Sequence, residues 1–381
     1  MMQFRLPLSV LSPLCDTVMR FASKNSTLPI LQNMYRDITD GVMTLKATDM
    51  EKYCLITTPV VAQGTGSWTV NAKLLVDILH ACADGDIGIA YNADTETLII
   101  SSGKDTFSIK TLPASDYVAL PTLTEAQHIN ISCSSLARGI NKVGFACIEK
   151  SYTPIYGGIY LWTKTDDQGT NRLYFVGTDT QLLAEYSLTL DSTTSIKVSI
   201  PKSSALDIAH VAAGLVSDDI DPLSTLHVGS NLLGRETSIG QTTIYISTIT
   251  IQGNFPDYHN PKIMPPTYRS SLLLETALFE KQLRKIDILA KDNKKHVFLS
   301  IDEGLLKLST GKVDKGDSVA YVTCTQEGDI PHICLFTKHL ADVCKIINGR
   351  MILGFNDETT PVKMLDPADP AFVAIARPIK V

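Results

Sequence analysis

The 381 residues include 34 Lys and Arg against 40 Asp and Glu, a formal net charge of −6, with 44% hydrophobic and 19% charged positions. That composition is globular and the length allows two or three domains, while the acidic balance argues against coating nucleic acid by bulk charge, so any DNA contact needs a local basic surface. No window approaches the run of about 18 apolar residues that a membrane span needs, and Pro7 and Pro13 interrupt the apolar stretch from Leu6 to Leu14, which argues against a signal peptide and for a cytoplasmic protein with no membrane contact.

The chain opens with a predicted strand, Met2 to Leu8, and a helix, Ser9 to Ser23, in which Leu11, Leu14, Val18 and Phe21 recur at helical spacing. Tyr35 to Ile38 and Val42 to Ala47, joined by Thr39-Asp40-Gly41, read as a hairpin, because Asp-Gly supplies the positive φ angles of a tight turn. Lys52 to Pro59 is a third strand, and Trp68 to Asn71 runs straight into a helix, Ala72 to Ala83. Ile87 to Tyr91, Thr97 to Ser101 and Thr106 to Thr111 complete a meander. The same order begins again near His128, with a helix from Ser135 to Ala146, strands at Gly158 to Thr163, Arg172 to Gly177 and Leu182 to Leu190, and a second half from Ser195. After the proline-rich Asn260 to Pro266 it begins a third time, with helices Thr276 to Ala290 and Thr337 to Ile347 and a predicted strand from Ser318 to Thr325.

A short stretch ties the copies together. Met43-Thr44-Leu45-Lys46-Ala47-Thr48-Asp49 returns as Leu173-Tyr174-Phe175-Val176-Gly177-Thr178-Asp179, with the second Asp 130 residues after the first, and Leu305 to Thr310 is a weaker third copy. A lysine also recurs where a strand becomes a helix, at Lys73, Lys202 and Lys338. These repeats predict an α+β chain of three tandem modules, 1–127, 128–262 and 263–381.

A module of two strand-helix-strand-strand-strand halves sets two helices side by side against antiparallel sheets. Three modules edge to edge leave an open sheet edge at each end, which a head-to-tail second copy would satisfy, closing six modules into a ring. The predicted helices carry or adjoin Arg20, Lys24, Lys73, Arg138, Lys142, Lys202, Lys281, Arg284, Lys285, Lys291, Lys338 and Lys345, whereas acids gather elsewhere, as in Ser217-Asp218-Asp219-Ile220-Asp221. Such a surface suits sequence-independent contact with duplex phosphates.

The segments Thr27-Leu28-Pro29-Ile30-Leu31-Gln32-Asn33, Ala47-Thr48-Asp49, Thr111-Leu112-Pro113-Ala114-Ser115-Asp116-Tyr117, Gly177-Thr178-Asp179 and Phe255-Pro256-Asp257-Tyr258, in this order, resemble the bacterial DNA polymerase III β subunit family, the sliding clamps. The resemblance covers nearly the whole chain and implies three tandem DNA-clamp modules closing as a head-to-tail homodimer. Such a ring encircles double-stranded DNA and tethers the polymerase III α subunit, the clamp loader and other clamp-binding-motif proteins. It implies a partner-peptide pocket from Thr178, Thr180, Gln181, Leu182, Leu183, Pro256, His339, Thr359, Pro361, Val362, Ile375, Ala376, Arg377, Pro378 and Ile379. Where the family usually reads Gly-His-Arg-Leu after Thr-Asp, this chain reads Thr180-Gln181-Leu182-Leu183, and Arg377 stands where the family tends to an apolar residue. The resemblance also implies a dimer interface of Phe107 and Ile109 against Ile288 and Leu289, and DNA contacts from Lys24, Lys73, Arg138, Lys142, Lys150, Tyr152 and Lys202.

Enzyme signatures are missing. Gly304 to Lys312 has glycines seven apart where a phosphate loop needs five, Gly64-Thr65-Gly66 lacks a third glycine, and neither Gly-x-Ser-x-Gly nor His-Glu-x-x-His occurs. The eight cysteines (Cys15, Cys54, Cys82, Cys133, Cys147, Cys324, Cys334, Cys344) stand singly in apolar stretches, as buried reduced thiols do. Asp49 and Asp179 recur at one turn, which suits hydrogen bonds to backbone better than acid-base chemistry. No cofactor and no metal are expected.

Overall fold

The computed structural model describes residues 2–123, 125–148, 152–166, 168–290, 294–311 and 316–380. By contacts it divides into two units, 1–137 with 191–250, and 138–190 with 251–381.

In the first unit, strand Met2–Pro7 leads into α1 (Leu8–Met19) and strand Gly66–Asn71 into α2 (Ala72–Ala81). Asn71 ends its strand and caps the helix at once, its Oδ1 accepting the Leu74 N–H at 2.9 Å. One antiparallel sheet runs in the order 62–63, 2–7, 86–92, 97–102, 105–110. A second, of eight strands, runs 127–132, 223–228, 232–239, 242–249, 52–59, 42–48, 33–39, 66–71. Period-two patterning is plain in Val42–Thr48, where Met43, Leu45 and Ala47 are fully buried while Val42, Thr44 and Lys46 between and before them are not. α4 (Lys202–Gly214) belongs to this unit, and α3 (Cys133–Val143) begins in it and ends in the other.

In the second unit, strands 158–165, 171–178, 182–190, 372–376, 362–365, 350–355, 270–275 and 324–327 lie side by side in that order. A four-stranded sheet runs 319–322, 305–309, 296–302, 333–336, and α5 (Thr276–Ala290) packs against α6 (Thr337–Cys344).

Two features depart from the sequence reading. The strand expected over Ser318 to Thr325 is two, Val319–Val322 in the four-stranded sheet and Cys324–Glu327 in the larger one, broken at Thr323 where the chain changes sheet. The first helix stops at Met19, yet Phe21 still reaches the core, because its N–H closes a tight turn on Val18 O at 3.0 Å. Two arginines lie inside the core of the first unit. Arg36 is 1% exposed with its guanidinium near the rings of Phe4 and Trp68 and against Cys15 Sγ, and Arg235 is fully buried against Ser224 Oγ and Cys133 Sγ. Six cysteines are buried, and Cys82 and Cys324 are partly exposed.

Candidate partner-binding pocket

The second Thr-Asp repeat sits at the tip of the hairpin between strands Asn171–Thr178 and Leu182–Leu190. Thr178 Oγ1 donates to Leu182 O at 2.8 Å and accepts the Thr180 N–H at 3.0 Å. Asp179 Oδ1 accepts the N–H groups of Gln181 and Leu182 at 2.9 and 2.6 Å. These bonds hold Thr180 at φ 77°, which a β-branched residue adopts only under constraint. The other carboxylate oxygen of Asp179 lies 3.0 Å from Nε2 of the buried His339, on α6. Because an ionised carboxylate only accepts, the imidazole proton sits on Nε2. Burial alone would raise the Asp179 pKa, but the hydrogen bonds from His339 and from the Leu182 and Gln181 N–H groups outweigh it and hold the carboxyl below its ordinary value.

This rigid turn forms one wall of a cavity of about 450 Å³, with Tyr156, Phe255, Pro256, Tyr258, Lys262 and Ile263 across from it and Thr359, Pro361, Ile375 and Arg377 closing the remainder. The wall of the 255–264 segment is held from behind by aromatic packing. Phe255 stacks on Tyr160 with ring centroids 4.5 Å apart, and Trp162 Nε1–H donates to the Tyr258 hydroxyl oxygen at 2.8 Å. The Tyr258 hydroxyl in turn donates to the buried Glu185, which also lies 2.9 Å from His259 Nε2. Burial, and then the adjacent Glu185 charge, push the Tyr258 hydroxyl far above its ordinary pKa, so it stays a donor at all working pH values. Val176, Leu183 and Tyr258 form one packed cluster beneath the cavity.

Of the residues that the resemblance implied, Thr178, Thr180, Gln181, Leu182, Leu183, Pro256, Thr359, Pro361, Ile375 and Arg377 line this cavity. Five do not. Val362 and Ala376 are fully buried partners across adjacent strands, facing away from the cavity as alternation beside Pro361, Ile375 and Arg377 requires. Pro378 is buried, and the Ile379 N–H is tied to Cys334 O at 2.9 Å. His339 stands behind the turn and braces it through Asp179. The sequence reading missed Tyr156, Phe255, Tyr258, Lys262 and Ile263, although Phe255-Pro256-Asp257-Tyr258 was already marked as a motif and its aromatics were the available signal.

The basic residues are unequal. Lys24, Lys73 and Arg138 are exposed, Lys202 is half-buried, and Tyr152 is fully exposed. Lys73 lies 2.5 Å from Asp77 one helical turn on. In the first unit, α1, α2 and α4 border a groove of about 1170 Å³ in which Arg20, Lys24, Lys52 and Lys73 face Asp16, Asp77 and Asp207. Lys142 is a correction to the sequence reading. Its ammonium is 3.0 Å from Asp369 and 3.9 Å from Asp366, lies over the Phe372 ring and is mostly buried, so its charge is spent inside the fold. Lys150 and Lys291 lie outside the described residues. Phe107 and Ile109 are half-exposed on one face of strand Asp105–Lys110, at the edge of its sheet, and on α5 Ile288 is 69% exposed with Leu289 beside it half-buried.

The family model for the N-terminal domain of the DNA polymerase III beta subunit matches residues 2–121, and that for its C-terminal domain matches residues 261–380. The chain belongs to the DNA polymerase III beta subunit family. Among curated relatives, the beta sliding clamp of Caulobacter vibrioides is 24% identical over 368 residues, covering 96% of each chain. Two solved structures share the fold across all of both chains. The DNA polymerase III beta subunit of Thermotoga maritima does so with a TM-score of 0.89 at 20% identity, and the Pseudomonas aeruginosa sliding clamp bound to griselimycin with 0.88 at 21%. A β subunit is a processivity factor with no catalytic activity of its own, and clamps of this family bind DNA and clamp-binding proteins. Among the described residues no helix is long and apolar enough to cross a membrane.

Proposed function

We propose that the cavity beside Thr178 to Leu183 is the site at which this clamp captures short segments of its partners, the polymerase III α subunit, the clamp loader and other clamp-binding-motif proteins. The observation that carries the reading is a cavity of about 450 Å³, lined by apolar and polar side chains together, in a chain of the β-subunit family, a size that suits a few side chains rather than a folded surface. The chain is read as three modules, 1–127, 128–262 and 263–381, and as a cytoplasmic homodimer closed head to tail into a ring of six modules around duplex DNA. Support for the dimer comes from the half-exposed pair Phe107 with Ile109 and the exposed Ile288 beside Leu289, together with the outer edge strands Asp105–Lys110 and Val319–Val322. For DNA contact we retain Lys24, Lys73, Arg138, Tyr152 and Lys202, and Lys150 on sequence position alone, and omit Lys142 because its carboxylate partners neutralise it. Binding of this kind is to phosphates, without base readout.

The topological claim is tested by loading the labelled protein onto circular DNA and then cutting the circle once. Release on linearisation, with retention on uncut circles, is expected of a ring. Equal retention on both would overturn it.

A further inference from the structure

The outward face of the eight-stranded sheet brings two histidines together. His128 and His227 stand directly opposite each other on the antiparallel strands 127–132 and 223–228, and their Nδ1 atoms are 2.9 Å apart. The first of these strands is the outer one of its sheet, so the pair sits at a sheet margin. Ile129, Leu226 and Val228 beside them are buried, which by alternation turns both imidazoles outward, His128 exposed and His227 half-buried.

The surroundings hold His227 in place. The two rings meet edge to face with centroids 4.9 Å apart, and Tyr245 lies 6.4 Å from the His227 ring, over Gly234, where a Cβ would meet the tyrosine hydroxyl at 2.7 Å. His227 Nε2 is shielded from water, has no hydrogen-bond partner and faces the Glu236 carboxylate at 3.9 Å. A carboxylate there favours the proton on Nε2, which leaves the His227 Nδ1 lone pair aimed at His128, so His128 Nδ1–H donates the hydrogen bond between the rings.

Among the described residues no group of three or more His, Cys, Asp and Glu side chains is placed to hold a metal ion. Two converging imidazole nitrogens are nevertheless a chelate. We propose that His128 and His227 bind one divalent transition-metal ion of right-angled coordination, of the nickel and copper class, with water in the remaining positions. Metal–imidazole bonds of about 2.0–2.1 Å set two nitrogens about 2.9 Å apart at a right angle and about 3.3 Å apart at the tetrahedral angle, so the observed spacing matches square-planar or octahedral geometry. On binding, the His128 proton passes through water from Nδ1 to Nε2, so both Nδ1 lone pairs meet the ion and no proton is released. Glu236 behind the His227 Nε2–H supplies the carboxylate–histidine–metal arrangement that orients the ring and raises its basicity. The bound ion ties the outer strand of the sheet to its neighbour through residues 99 positions apart in the chain.

The test uses untagged full-length protein and NiCl2, with affinity read by competition against a chromogenic chelator and location read from nickel anomalous scattering in a soaked crystal. One ion per chain is expected, with its anomalous peak between the two rings. His128→Gln and His227→Gln should each weaken binding about 100-fold, the low end of what joining two ligands gains, and Glu236→Gln about tenfold, as for a residue that orients a ligand. Unchanged affinity in His128→Gln overturns the proposal. So does anomalous density at Cys82 or Cys324, the partly exposed thiols, with none at the histidine pair.

Discussion

The molecule contains the same turn twice, and only one copy borders the proposed binding cavity. At Thr48 to Lys52, Thr48 Oγ1 donates to Lys52 O at 2.9 Å and accepts the Met50 N–H at 2.9 Å, while Asp49 Oδ1 accepts the N–H groups of Glu51 and Lys52 at 3.0 Å each. Thr178 to Leu182 repeats every one of those bonds, and φ is 79° at Met50 and 77° at Thr180. Even the strand beyond is equivalent, since Ile249 N–H donates to Glu51 O as Arg377 N–H donates to Gln181 O. What differs is the side chains that follow. Where the second copy has Leu182 and Leu183, the first has Lys52, which forms an ion pair with Asp207, and Tyr53, whose hydroxyl folds back to Met50 O at 2.8 Å. Backbone geometry sets the frame of the site, and the two residues after the turn decide whether an apolar surface is left open.

The sharpest way to break this comparison is to change the matched positions. Leu183→Ala is expected to weaken binding of a clamp-binding-motif peptide by 30-fold or more, about 2 kcal/mol for a central anchor contact, whereas Tyr53→Leu should change it less than twofold. Equal effects in an anisotropy titration would mean that the two turns are not functionally distinct.

Next in size is the difference between the aspartates. Asp179→Ala removes the acceptor for two backbone N–H groups and leaves the buried His339 without a partner, since its Nδ1 has none. A loss of about 2 to 3 kcal/mol of unfolding free energy in urea is expected. Asp49→Ala removes the same two backbone bonds, but its other oxygen lies 3.9 Å from Lys52, which keeps Asp207, so about 1 kcal/mol is expected.

A smaller effect separates Asp179 by pH. Its folded pKa is depressed, so the stability it adds is fully present above the unfolded carboxylate value of about 3.9 and is lost as pH falls through the folded value. Unfolding free energy measured between about pH 5 and pH 2 should therefore fall more steeply in the unaltered protein than in Asp179→Asn. Parallel curves would show that the carboxylate contributes nothing in its charged form.

The smallest effect expected is relief of backbone strain. Thr180→Gly should raise the midpoint of thermal unfolding, by an amount on the order of 1 kcal/mol of stability, and Met50→Gly by less, because a β-branched side chain fits positive φ worse than an unbranched one.

The strands, the six helices and the Thr-Asp turns were readable in the sequence because each is a local pattern: alternation at Met43, Leu45 and Ala47, helical spacing, and a carboxylate two and three residues from the N–H groups it accepts. The same locality explains what was missed. His339 reaches Asp179 from 160 positions away, and Lys142 finds Asp366 and Asp369 on a distant segment, so neither the brace nor the neutralised lysine has any mark in its own neighbourhood. Arginine is mostly an exposed residue type, yet thiols, hydroxyls and aromatic rings brought from other strands and helices enclose Arg36 and Arg235.

By itself, then, the sequence determined the repeated elements, the turn chemistry and the family, since these depend on residues a few positions apart or on motif order along the chain. Only the tertiary structure decided which of the two turns borders the proposed binding cavity, that Val362 and Ala376 face away from it, and that Lys262 and Arg377 line it with no carboxylate among the described residues. Those outcomes depend on which side chains distant segments bring together, and on whether a charge meets its opposite there or is left facing solvent.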